Sequence, residues 1–80
     1  MHPSEAIERL SRALDVLSNE PLDKEALRTL CAGLCDSKHQ LFIERGLANN
    51  DKTLILHGLV GTLSHYETEK EAETRHAANH

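Results

Sequence analysis

Aliphatic residues in this chain recur at every third or fourth position and nowhere alternate with polar ones, which leaves the α-helix as its regular structure. Ile7, Leu10, Leu14 and Leu17 make the first such seam, with Ala6 and Ala13 beside it. Ser4 stands where an N-cap belongs, and Glu5 and Glu8 put negative charge near the positive end of the helix dipole. A first helix is therefore expected over about residues 4–18, ended by Asn19-Glu20-Pro21.

The second helix is expected over about residues 23–45. Asp23 can cap it, with Leu22 and Leu27 placed for a hydrophobic staple. Leu27, Leu30, Cys31, Leu34, Leu41 and Phe42 then fall on one side. Gly46 suits the left-handed position after a helix, with Leu47 folding back onto Phe42. Asn49-Asn50-Asp51 supplies the next cap and opens a third helix over about residues 51–70, with Leu56, Leu59, Val60, Leu63 and Tyr66 as its core face. Beyond Tyr66 the text turns polar, from Glu67 to Arg75. The expected architecture is all-α: a small three-helix antiparallel bundle forming one domain over 1–70, with a polar tail at 71–80 that frays.

Such a bundle has little to bury. Phe42 and Tyr66 are its only aromatic residues, and large rings supply much of the buried area in small domains. The third helix, if continued to Arg75, would also outreach the first and leave one end of its hairpin uncovered. Both points predict added burial through a homodimer or a protein partner.

Charge and hydropathy narrow the partners. The net charge is -4 and no run of three basic residues exists, so nucleic acid is not expected. Apolar runs such as Leu54-Ile55-Leu56 are far too short to span a bilayer, and residues 1–5 lack the basic and apolar regions of a signal peptide. A cytoplasmic protein with reduced cysteines is expected.

Three groups of residues invite a functional reading. Cys31, Cys35 and His39 follow one another at intervals of four, so one helix face could offer two thiolates and an imidazole to a metal, or a thiol pair to an oxidant. Against this, Cys31 lies inside the apolar stripe, Cys35 on its margin and His39 toward solvent. Two cysteines one turn apart in a regular helix are also poorly placed for a disulfide. The six histidines are the second group. No nucleophile or orienting acid accompanies them in a catalytic pattern, so no enzyme, cofactor or small-molecule substrate is expected, and His2, His57, His65, His76 and His80 read as surface residues. The third group is the back of the last helix, where Leu54, Gly58, Gly61 and His65 share a side flanked by Ile55. Each glycine costs about 1 kcal/mol relative to alanine in an exposed helix. Close approach by another helix is a reason to keep both, which makes Leu54, Ile55, Gly58, Gly61 and His65 the expected partner-binding surface.

Gly46, Asn50, Lys52 and Leu54-Ile55-Leu56 resemble a segment of the small enterobacterial biofilm and two-component connector proteins, which are helical dimers. The likeness stops at Glu67–Arg75, where that family has a second apolar helix. Size and hairpin layout are similar to those of the small co-chaperones of type III secretion needle subunits. Both resemblances imply binding to other proteins. The expected function is a non-enzymatic protein-binding module, namely a small bacterial regulator, anti-activator or secretion chaperone acting by helix packing. The rival is a metal or redox sensor built on Cys31, Cys35 and His39.

Overall fold

A computed structural model describes residues 2–78, with side chains through Glu73. Its regular structure among these residues is wholly helical, in four helices: α1 (Pro3–Leu17), α2 (Lys24–Cys31), α3 (Ser37–Asn49) and α4 (Lys52–Ala78). The all-α expectation holds, but the long second helix is two helices. The type of turn explains the break. Ala32 at φ -57°, ψ 122° precedes Gly33 at φ 74°, and the Leu34 N–H donates to the Cys31 carbonyl at 3.1 Å, the pattern of a type II turn. Asp36 then restarts the helix, its carboxylate accepting from the His39 N–H at 2.9 Å.

Three other helix ends differ from expectation. Pro3 occupies the first helical position and His2 is the cap, its Nδ1 accepting from the Ser4 N–H at 3.1 Å. Gly46 lies inside α3, which runs on to Asn49; Asn50 takes the left-handed position at φ 54°. α4 passes residue 70 and continues to Ala78, so the expected end of regular structure is displaced, while Asn79 and His80 fall outside the described residues. Asp23 and Asp51 cap as expected: Asp23 accepts from Ala26 at 3.0 Å, and Asp51 from Thr53 at 3.0 Å.

α4 is the spine. α1 lies antiparallel along it, with His2 approaching Glu73 at one end and Glu20 pairing with Lys52 at the other. α1 therefore covers α4 out to Glu73, and the uncovered end expected from helix lengths is filled on that side. α3 packs on another side of α4, also antiparallel, and α2 braces α1 through Arg9, which donates to the Thr29 and Ala32 carbonyls. The fully buried aliphatic residues Leu10, Leu27, Leu47, Ile55 and Leu59 form the centre, joined by Ala6, Ala13 and Ile43. No helix of the described residues is long and apolar enough to cross a membrane.

Candidate functional site

The phase of α4 differs from the one its aliphatic spacing suggested. Leu59 is buried as expected, and Leu63 and Tyr66 pack against the core. Ile55 and Thr62 are buried, whereas Leu56 and Val60 are 44% and 49% exposed. The helix is turned by about one residue, roughly 100°, and the cause is steric. A Cβ on Gly58 would stand 2.5 Å from Ile43 Cγ1 and 2.8 Å from the His39 carbonyl oxygen; one on Gly61 would overlap the His39 ring. A Cβ on Gly46, across on α3, would meet Ile55 Cγ1 at 2.5 Å and its backbone nitrogen at 2.8 Å. Three glycines thus let the backbones of α3 and α4 close on each other. The side opposite Leu56, expected to meet a partner, meets α3 of the same chain.

The residues assigned to partner binding are redistributed accordingly. Ile55 and Gly58 are buried, Gly61 and Leu54 half-buried, and only His65 stands well exposed, beside Glu69 at 3.5 Å and edge-on to Tyr66. Gly58 and Gly61 do serve close helix approach, but within the molecule. The outer face of α4 carries instead a shallow cleft of about 310 Å3 lined by Thr53, Leu56, His57 and Val60. Phe42 stacks on His57 at 5.9 Å between ring centroids and bounds this face from α3. The expected core residue Leu41 is 49% exposed, because the break after Cys31 resets the helical phase and turns Ile43 and Leu47 inward.

The cysteines form the second constellation. Cys31, the last residue of α2, is buried; Cys35 is half-buried on the segment leading to α3. Both line one cleft of about 320 Å3. A hydrogen bond from Cys31 is the largest influence lowering Cys35, to about 6; burial opposes it, and the Thr62 hydroxyl and His39 assist. The same bond, then burial and the charge of Cys35, push Cys31 well up. Thr62 Oγ lies 2.8 Å from the Gly58 carbonyl oxygen and 3.3 Å from Cys35 Sγ, one proton facing two acceptors. His39 is half-buried rather than directed to solvent. Its Nδ1 lies 2.9 Å from Asp36, whose carboxyl is held below its usual range chiefly by the His39 backbone N–H.

The structure thus sets the two cysteines in one cleft but does not converge them with His39 into a ligand set. Among the described residues, no group of three or more His, Cys, Asp or Glu side chains could hold a metal ion. The sequence reading missed Thr62 and Tyr66. Thr62 sits in the text as a small polar residue on an otherwise apolar face, and Tyr66, assigned to the core, also donates its hydroxyl to the Leu34 carbonyl at 2.8 Å and pins the turn that carries Cys35. No protein-family model matches the chain, and neither a curated protein nor a solved structure does.

Proposed function

We propose that this protein is a non-enzymatic helix-docking module that works as a dimer, two copies meeting through the outer faces of their α4 helices. The carrying observation is the pair Leu56 and Val60, one turn apart and each close to half exposed in the first third of the longest helix. A bundle with so few large side chains gains by covering them. The occupant follows from charge. The cleft residues Thr53, Leu56, His57 and Val60 include no Asp, Glu, Lys or Arg, so two copies with a net charge of -4 each can meet there without like charges in the contact. Small bacterial regulators, anti-activators and secretion chaperones that act by helix packing are the functional class into which such a dimer falls.

Sedimentation across a concentration series tests the reading. The unaltered chain should show reversible, concentration-dependent dimerisation, and Leu56→Lys with Val60→Lys should sediment as a folded monomer. The double change should alter the stability of the monomer by no more than about 1 kcal/mol, about 0.5 kcal/mol for each partly exposed position. A chain that stays monomeric throughout, or a double variant that dimerises as well as the parent, overturns the proposal.

A further inference from the structure

We infer that Cys31 and Cys35 form a redox-active dithiol, in which the Cys35 sulfur attacks a small-molecule disulfide and Cys31 resolves the product into an intramolecular bond across the turn. The inference is independent of the dimer reading. It rests first on where the two residues lie. In one regular helix their sulfurs would be held a full turn apart by the backbone, but here the helix ends at Cys31, and Ala32–Asp36 are non-helical. That segment is held in place from α4, by Tyr66 on the Leu34 carbonyl and by Thr62 on Cys35, so the two cysteines line one cleft without sharing a rigid element.

Access assigns the roles. Cys35 lines two clefts, of about 320 and 280 Å3, one on each side of the turn, whereas Cys31 is 8% exposed and reaches only the first. An external disulfide therefore meets the Cys35 sulfur first. Charged and titratable groups face the pair from every helix: Arg9 from α1, Arg28 from α2, Asp36 at the cap of α3, His39 and Glu44 from α3, and His65 and Tyr66 from α4. The Cys31 thiol and the Thr62 hydroxyl donate to the Cys35 sulfur and stabilise its anion, which is the nucleophile in exchange.

The step balances as follows. The Cys35 thiolate displaces one thiolate from the external disulfide; that leaving group takes a proton from water, and a mixed disulfide remains on Cys35. Its negative charge is now gone, and with it one cause of the resistance of Cys31 to deprotonation. Cys31 then loses its proton to solvent and attacks the Cys35 sulfur, expelling the second thiolate. Two protein thiols are oxidised and one external disulfide is reduced to two thiols.

Oxidised glutathione is a suitable probe at neutral pH, with mass and free-thiol count as readouts. The reduced chain should end lighter by two hydrogens, with no free thiol and no attached glutathione. Cys31→Ser keeps a donor beside Cys35 but cannot resolve, so it should stall with one glutathionyl group on Cys35. Cys35→Ser should react slower than Cys31→Ser by about tenfold or more. Alkylation of Cys35 in Cys31→Ser should titrate at lower pH in the folded chain than in denaturant, where free cysteine titrates near about 8.5, because the Thr62 hydroxyl and His39 still favour the anion. If the unaltered chain collects two glutathionyl groups, or the folded and denatured alkylation profiles coincide, the inference is wrong. The first result needs no variant, so a misfolded substitution cannot rescue it.

Discussion

The two long sides of α4 solve opposite problems with similar lengths of sequence. Toward α3, Gly58 and Gly61 remove side chains so that Ile43 and His39 can enter, and the contact is tight because little stands in it. On the outer side, Leu56 and Val60 present side chains that the described residues leave about half exposed. By hydrophobicity alone the second side should be the buried one. The difference teaches that shape decided the packing: α3 and α4 settle where their backbones can approach, and the most apolar stripe is left to whatever the surrounding helices do not fill.

The sharpest way to break this comparison is to fill the notch. Gly58→Leu should destabilise the chain by about 3 kcal/mol in urea or thermal unfolding, because the side chain meets the His39 carbonyl and the core residue Ile43 together. A substitution there that leaves the melt unchanged, or raises it, would put the glycine side outside the fold. Thr62→Val asks whether the buried polar contact beside the notch matters. It should cost about 1 kcal/mol by leaving the Gly58 carbonyl without this hydroxyl. It should also slow alkylation of Cys35 near neutral pH, because a donor that favours the thiolate is gone. Stability lost without any change in thiol reactivity would separate Thr62 from the sulfur. The smallest effect is expected at Gly61→Ala. The obstructing atoms belong to the tip of the His39 ring, which can swing away, and alanine returns up to about 1 kcal/mol of helix propensity. The melt should rise by less than that, while the His39 ring resonances shift; a loss comparable to that at Gly58 would show His39 to be fixed.

Periodicity carried much of the fold. The α1 seam, the Asp23 and Asp51 caps and the all-helical class were legible because each follows from local chemistry. The misreadings at the break after Cys31 and at the end of α3 share one physical cause. A glycine has two uses, a positive φ and the absence of a Cβ, and the sequence does not say which applies. By spacing alone Gly33 falls in a helix interior but is the turn, although Asp36-Ser37 after it is a good restart signal; Gly46 suits a stop but is the contact, with Asn50 taking the left-handed position. The cysteine pair followed from the same error. On one unbroken helix, Cys31 and Cys35 are neighbours poorly placed for a disulfide; with a type II turn between them, they line one cleft without that restraint. The candidate surface was mistaken because Leu54-Ile55-Leu56 offers apolar residues to three faces, and only α3 selects among them.

Pairing α1 with the far reach of α4 has an entropic consequence. The Gly46–Ile55 contact closes a short loop, while the contact of His2 with Glu73 encloses nearly the whole chain. The sequence separation is roughly eightfold greater, and at about 0.6 kcal/mol per doubling the longer closure costs about 2 kcal/mol more. Nearness in the chain favours the α3–α4 hairpin, but α1 has no such advantage and must hold by burial. Ala6, Leu10 and Ala13 are all fully shielded from solvent, a continuous small–large–small strip along the one helix that joins the bundle from the greatest distance.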